Sequence, residues 1–155
     1  MIMHRLTNFC ALYALLVVAV LLAQHTALCA QDELKLEAQL IWGTNEAQSP
    51  DPNHKPAEPD VQKKLRSLPF KWTNYFEVNR VHFAVAQGRT NRVVMSKECQ
   101  IAVKNLGNAT VEVTLFGKGE RVGTITQALP KGELLVTGGN APNLTAWFVV
   151  LRQTD

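Results

Sequence analysis

The strongest constraint on the fold is a series of short alternating segments that fills residues 70–152. Apolar and polar residues alternate within each segment, and turn-forming residues separate the segments about every ten positions, as in antiparallel β-proteins. We therefore predict a mainly β fold, an antiparallel β-sandwich or small barrel of about eight or nine strands with one short helix. The predicted strands of this region are FKWTNYFEV, VHFAVAQG, RVVMS, CQIAVKNL, TVEVTLFG, RVGTITQAL, ELLV and TAWFVVLR, with Asn79 and Arg80 in the first turn.

A further strand is predicted at residues 34–42, LKLEAQLIW. Because its residues alternate strictly, we expect one face to meet the core and the other to meet solvent. The predicted inward residues are Leu34, Leu36, Ala38, Leu40 and Trp42, and the predicted solvent-facing residues are Lys35, Glu37 and Gln39.

Residues 43–59 are rich in proline and nearly free of apolar side chains. Proline cannot donate a hydrogen bond to a sheet, and a polar segment has little to bury. We predict a solvent-exposed loop that joins neither the core nor a sheet.

The one predicted helix covers residues 59–68, because Pro59 suits a first turn and Pro69 ends the pattern. One side of this helix is apolar and the other is basic. The basic side either contacts an acidic partner or is simply solvated, so we treat it as a candidate partner-binding surface. The apolar residues are Val61, Leu65 and Leu68, and the basic residues are Lys63, Lys64 and Arg66.

The last two predicted strands are unusually apolar, so we expect both to lie centrally in their sheet. The glycine-rich stretch 138–143 between them is predicted to be a wide hairpin loop, because glycine and asparagine tolerate positive φ angles. A backbone anion site in the same loop is the alternative interpretation.

The first 30 residues have the layout of a secretory signal peptide: a basic start, an uncharged apolar run and a polar tail that ends at Ala30. We expect cleavage near Ala30, which leaves residues 31–155 as a single β-rich domain that is secreted or periplasmic. Two alternatives are an uncleaved anchor, although the apolar run is shorter than the roughly 20 residues that span a bilayer, and a lipid attached at Cys29. Leu28 is not the small residue that lipid attachment would require before this cysteine.

Net charge limits the classes of partner that the sequence predicts, and cysteine content limits the possible disulfides. Removal of residues 1–30 takes away Arg5 and no acid, so the net charge falls from +3 to +2. This is too weak to predict binding to nucleic acid or to an anionic membrane. Cys99 is the only cysteine outside the predicted signal, and its position on an apolar strand face indicates a buried core residue.

No sequence pattern typical of catalysis or of cofactor binding is present. His54 and His82 stand far apart without neighbouring ligands, and no serine lies in a nucleophile motif. Glycine-rich nucleotide loops are also missing. We predict a protein that is not an enzyme and needs no cofactor or metal.

Aromatic residues are the remaining candidates for ligand contact. The tryptophans at 42, 72 and 147 share strand faces with apolar neighbours, which favours burial. Tyr75 is the better candidate for exposure, and we name it with Lys63, Lys64 and Arg66 as a possible partner-binding residue. Asn108 and Asn143 each begin an N-glycosylation acceptor triplet in a predicted turn, and these sites matter only in a eukaryotic secretory pathway.

The segments LPFKWTNYFEVNR and TQALPKGELLVTGGNAPNLTAWFVVLR resemble a group of small exported bacterial proteins of uncharacterised function. The resemblance implies a bacterial origin and an envelope location. It implies no activity, ligand or catalytic residue.

Together these features predict an exported, non-catalytic β-domain that acts as a protein-interaction or structural module of the periplasm or cell envelope. The expected partner is another envelope or secreted protein, which would bind at a sheet edge or at the basic helix face. The alternative is a carbohydrate-binding module that uses exposed aromatic residues.

Overall fold

The computed structural model describes residues 33–141 and 144–154, all of which belong to one compact unit. Within this part of the chain the fold is mainly β, as predicted, with nine strands and one short helix. The elements are β1 (Glu33–Thr44), β2 (Lys55–Pro56), α1 (Pro59–Ser67), β3 (Asn74–Ala86), β4 (Thr90–Val94), β5 (Cys99–Gly107), β6 (Thr110–Gly117), β7 (Glu120–Ala128), β8 (Leu134–Asn140) and β9 (Ala146–Gln153).

The strands form two antiparallel sheets that pack as a β-sandwich. The first sheet has the order β2-β3-β1-β9-β8, and the second has the order β4-β5-β6-β7. One apolar cluster fills the space between the sheets, and a second lies on the outer face of the first sheet beneath α1. The first sheet is therefore covered on both faces, whereas the second is covered on one.

β1 lies in the middle of the first sheet between β3 and β9. Leu36, Ala38 and Leu40 face the core between the sheets, as predicted. The prediction for the opposite face was wrong in part, because Glu37 and Gln39 are buried, with 6% and 1% of their surface exposed. Side chains from α1 and from the flanking strands cover that face.

β3 is one strand of 13 residues, so the turn predicted at Asn79 and Arg80 was wrong. The polar pair stays inside the strand because its side chains find partners there. Asn79 Nδ2 donates to the carbonyl of Met95 at 2.8 Å, and Arg80 forms ion pairs. A register shift opposite Leu40 leaves Val78 unpaired as a β-bulge.

The prediction that residues 43–59 join neither core nor sheet was also wrong in part. Lys55 and Pro56 form β2 and pair with Glu77 and Phe76 of β3. Ala57 enters the outer apolar cluster with 3% of its surface exposed. Pro56 is tolerated because β2 is a two-residue strand at the sheet edge. The residues between Thr44 and Lys55 do form a turn-rich, largely exposed loop.

α1 covers Pro59–Ser67, one residue shorter than predicted, with Pro59 in its first turn. Val61 and Leu65 are fully buried against the outer face of the first sheet. Leu68 follows the helix in an extended conformation, so the third predicted residue of the apolar stripe is only half-buried.

Tight hairpins connect β5 to β6 and β6 to β7, as the glycine and asparagine signals predicted. Asn108 has φ +50° in the first turn and Lys118 has φ +52° in the second. Two-residue hairpin turns need such positive φ angles, which asparagine and glycine adopt at little cost.

The glycine-rich segment before β9 differs from the predicted wide loop. β8 continues through Asn140, so Gly138 and Gly139 are paired strand residues opposite Phe148 and Trp147. A β-carbon at Gly138 would lie 2.3 Å from the carbonyl oxygen of Trp147. Glycine is needed here for close approach rather than for a turn. β9 is central, as predicted, whereas β8 is an edge strand.

No helix among the described residues is long and apolar enough to cross a membrane. The predicted signal peptide lies outside the described residues.

Candidate functional site

The four outer strands of the two sheets differ in how well their free edges are protected. β2 has two residues, Lys55 and Pro56, which are typical of a protected edge. β4 has five residues and turns toward β3, where Asn91 Nδ2 donates to the carbonyl of Ala84 at 3.1 Å. β8 is flanked by residues 69–72 across a groove.

β7 is the exception, and we call its unpaired side the β7 edge. The strand has nine residues, and all of them except Ile125 are exposed. No described strand pairs with this edge. After Arg121 the strand carries no charge and no proline. A long, uncharged, unpaired edge is the type of surface that accepts another strand.

The two faces of β7 are also distinct. Thr124 and Thr126 point away from the core, and Thr124 Oγ1 lies 3.0 Å from Thr114 Oγ1 on β6. Ile125 packs against the core between the sheets and remains only partly buried. Val122 is 52% exposed and is the unpaired residue of a β-bulge near the start of the strand. The bulge restricts the regular part of the edge to residues 123–128.

On the outer face of the first sheet, ion pairs connect α1 to the strands beneath it. Two carboxylates, Glu37 and Glu58, lie between two guanidinium groups, Arg80 and Arg152. Arg80 Nη1 is 3.2 Å from Glu37 Oε2, and Arg80 Nη2 is 2.6 Å from Glu58 Oε1. Arg152 contacts Glu58 as well, and its Nη1 is 2.8 Å from Asp60 Oδ2.

This network explains the burial of the polar residues of β1. Gln39 Nε2 donates to Glu37 Oε1 at 2.7 Å. Arg152 Nε lies 2.9 Å from the same oxygen without the geometry of a hydrogen bond, so this is a charge contact. His82 Nε2 is 3.1 Å from Glu37 Oε2. Gln39 Oε1 is buried and has no hydrogen-bond partner within the described part of the chain.

The ion pairs shift the affinities of these groups for protons. Partial burial alone would raise the pKa of Glu58, but hydrogen bonds from Arg80 and Arg152 outweigh it and hold this pKa below its usual value. The hydrogen bond to Glu77 is the largest cause of the raised pKa of Arg80. Each shift favours the charged form, as in an ion-pair network that fixes a helix in place.

The predicted basic surface of α1 exists, but Tyr75 does not belong to it. Lys63 and Arg66 are exposed and Lys64 is half-buried, whereas Tyr75 is 2% exposed. The prediction that Tyr75 is exposed was therefore wrong. Its ring packs against Phe148, and its hydroxyl donates to the carbonyl of Trp72 at 3.1 Å. Burial raises the pKa of this hydroxyl.

The other described aromatic residues form no exposed platform. Trp72 is buried, as predicted, while Trp42 and Trp147 are partly buried. Among the described Phe, Tyr and Trp side chains, Phe70 is the most exposed, at 36%. It lies against Phe148, with ring centroids 4.6 Å apart. Two parallel exposed rings, which a sugar-stacking surface needs, are not found in this part of the chain.

Asn108, Asn143 and Cys99 are the other residues for which the sequence predicted a position. Asn108 is exposed in the β5–β6 turn, as predicted, and Asn143 lies outside the described residues. Cys99 is buried beside Ile101 and Val103, as predicted, and burial raises its pKa to about 11. Within the described ranges no group of three or more His, Cys, Asp or Glu side chains is placed to hold a metal ion.

Comparisons with known proteins find no match: no protein-family model, no curated protein and no solved structure matches this chain. Within the described residues the protein is a β-sandwich in which β7 has the one unprotected edge.

Contact at a sheet edge was predicted from the sequence, but β7 was not singled out as that edge. The segment RVGTITQAL alternates weakly and has few large apolar residues, which is a usable signal for an exposed strand. The ion-pair network of Arg80, Arg152 and Glu37 was not predicted from the sequence either, because it joins residues that are far apart in the chain.

Proposed function

We propose that this protein is an exported, non-catalytic interaction module that binds a secreted or envelope protein by strand addition at the β7 edge. The observation that carries the proposal is the exposure of eight of the nine β7 residues along an edge that no described strand pairs. Main-chain hydrogen bonds to an added strand provide affinity, and alternate side chains provide specificity.

The surroundings of β7 indicate what the added strand must look like. Ile125 is only partly buried, so an apolar side chain beside it would extend the core between the sheets. Thr124 and Thr126 on the outer face favour β-branched or hydroxyl-bearing neighbours. Because residues 122–128 carry no charge, a charged segment would gain nothing on this edge. The partner strand is therefore extended, uncharged and apolar on alternate positions.

The basic surface of α1 is a second contact in this proposal. Lys63 and Arg66 are exposed on α1, and neither takes part in the described ion pairs of Glu58 and Asp60. Arg66 Nη2 donates to Gln62 Oε1 at 3.1 Å and has no described ion pair with a carboxylate. An acidic patch on the same partner would increase the association rate in a salt-dependent manner.

Export forms part of the same proposal and rests on residues 1–30. We expect the mature protein, purified from its own host, to begin at Gln31. Intact-mass spectrometry of the natural chain tests this directly. A mass that retains Met1 in the soluble envelope fraction would contradict signal cleavage.

The binding proposal is tested with an edge variant and a matched control. Thr124→Lys with Thr126→Lys places two charges on the β7 edge, and Thr90→Lys places one at the start of β4. The natural chain and both variants are each used as bait in a cross-linking pull-down of envelope proteins. The partner captured by the natural chain is then purified, and its affinity for all three proteins is measured. We expect the edge variant to lose at least about tenfold in affinity and Thr90→Lys to lose little.

Hydrogen exchange on the purified complex supplies the decisive readout. Backbone amides of residues 120–128 should become protected when the partner binds, while those of β4 stay unchanged. A partner that binds the edge variant with natural affinity overturns the proposal, as does an unprotected β7. Recovery of glycan alone would support the carbohydrate-binding alternative. Pairing of two copies of this chain through β7 would overturn the proposal that the partner is a different protein.

A further inference from the structure

Two hairpin turns and the end of β8 meet at one end of the sandwich and border a pocket of about 420 Å³. The turns are those between β4 and β5 and between β6 and β7, and the end of β8 contributes Asn140 with the adjoining Ala141. Loops gathered at one end of a sandwich are common positions for binding sites, because a rigid scaffold holds them. The volume lies within the range of small-molecule sites, roughly 300–1,000 Å³.

The floor of this pocket, which we call the end pocket, is apolar. Leu40 of β1 and Cys99 of β5 contribute side chains that are 5% and 4% exposed. Trp147 of β9 contributes its indole ring, which lies near glycines of both sheets. A β-carbon at Gly117 or at Gly139 would be 3.6 or 3.5 Å from Trp147 Cζ2, so small residues at both positions leave room around the ring.

Backbone hydrogen bonds hold the walls of the end pocket in place. The Lys118 amide donates to the Glu98 carbonyl at 2.7 Å and so joins the two turns. Ser96 Oγ accepts from the amides of Glu98 and Cys99 at 3.2 and 3.0 Å. A site whose walls are fixed before binding loses less entropy when a ligand enters.

The rim of the end pocket is polar and carries both signs of charge. Glu98, Lys118 and Asn140 are exposed at the mouth. Their side chains have no hydrogen bond or ion pair with the rest of the described chain, so they are available to a bound molecule. The acid and the amine together disfavour a head group that is strongly charged with one sign only.

We infer that the end pocket binds a small amphipathic molecule, with its apolar body against Leu40 and Trp147 and a neutral or zwitterionic head at Glu98, Lys118 and Asn140. An apolar floor with no buried charge cannot stabilise a bare ion. Binding is non-covalent, since burial keeps the Cys99 thiol protonated at neutral pH. This site is separate from the β7 edge and does not depend on the function proposed for that edge.

The test is an NMR titration of the uniformly ¹⁵N-labelled protein with 1-octanoylglycerol, a neutral amphiphile with a short chain. We expect saturable shifts at the backbone amides of 96–99, 117–118 and 139–141 and at the Trp147 indole N–H. Shifts confined to the groove near Phe70 and Trp72, or no saturable shift up to the solubility of the probe, would overturn the inference.

Substitution at Ala141, which lines the mouth, provides the matched pair. Ala141→Trp should obstruct the pocket and weaken binding at least about tenfold, whereas Ala141→Ser should leave it within about twofold. Equal binding by both folded variants contradicts the assignment. If Ala141→Trp fails to fold, the shift map of the natural chain decides the matter without it.

Discussion

β9 and β7 are strands of similar length in the same sandwich, yet their surroundings are opposite. β9 lies between β1 and β8, and both of its faces are covered, by the inter-sheet core and by the α1 layer. β7 pairs on one side only and is exposed along nearly all of its length. The comparison separates two roles: β9 holds the sandwich together, and β7 presents a surface.

The largest expected difference comes from truncating one apolar side chain in each strand. Leu151 of β9 is fully buried, so Leu151→Ala should lower the free energy of unfolding by about 3 kcal/mol, through lost burial and a cavity. Val122→Ala in β7 should change it by less than about 0.5 kcal/mol. Urea denaturation of both variants measures the difference, and equal losses would show that β7 is part of the core.

Arginines of the two strands provide the next comparison. Arg152→Met removes the partner of Glu37, Glu58 and Asp60 and leaves the buried Glu37 less compensated. Because the Arg152 side chain is 23% exposed, we expect a loss of about 2 kcal/mol rather than the full cost of breaking a buried pair. Arg121→Met in β7 should be nearly neutral. Urea denaturation measures both variants. If Arg152→Met leaves the free energy of unfolding unchanged, the network does not hold α1 in place.

A third comparison uses two glycines: Gly138, which pairs with β9, and Gly123, which lies within β7. A β-carbon at Gly138 would clash with the Trp147 carbonyl of β9, so Gly138→Ala should cost about 1–2 kcal/mol as edge strand β8 shifts. A β-carbon at Gly123 in β7 would meet nothing within 4 Å. Gly123→Ala should therefore be neutral or slightly stabilising. Thermal denaturation of this pair tests the packing of β8 on β9.

The smallest expected effect is a pH dependence at the network. The pKa of Glu58 is below its usual value of 4.5 in the folded protein, so the unfolded chain binds the proton more tightly. Its contribution to stability is present above that value and is lost as the pH falls through the folded pKa.

With 38% of the Glu58 side chain exposed, the contribution should be below about 1 kcal/mol. Glu58→Gln should lose less stability than the natural chain as the solution is acidified. Glu120→Gln in β7 should follow the natural chain, and a Glu58→Gln profile that does the same would contradict this assignment. Acid titration followed by circular dichroism compares the three proteins.

The sequence predicted what depends on near neighbours in the chain. The hairpins from β5 to β7 were found because Gly107, Asn108 and Gly119 supply positive φ angles between alternating segments. The helix was found because Pro59 and the spacing of Val61 and Leu65 are local signals. These features need no knowledge of distant contacts.

The errors lie where a distant residue changes the meaning of a local pattern. Glu37 and Gln39 look like solvent-facing residues of an alternating strand, and only the arrival of α1, Arg80 and Arg152 buries them. Tyr75 is buried because it meets Phe148 of β9. The end pocket is invisible in the sequence for the same reason, since its lining comes from several separate segments of the chain.

The placement of β9 between β1 and β8 also has a consequence for how the chain reaches its folded state. The second sheet consists of consecutive hairpins, so its contacts are short in sequence and can form rapidly. The first sheet pairs β1 with β9, which come from opposite ends of the domain and meet only after a large loop closes. We therefore expect the hairpin sheet to form early and the pairing of β9 to be the slow step. Until that step, β7 is one of several open edges in the nascent protein.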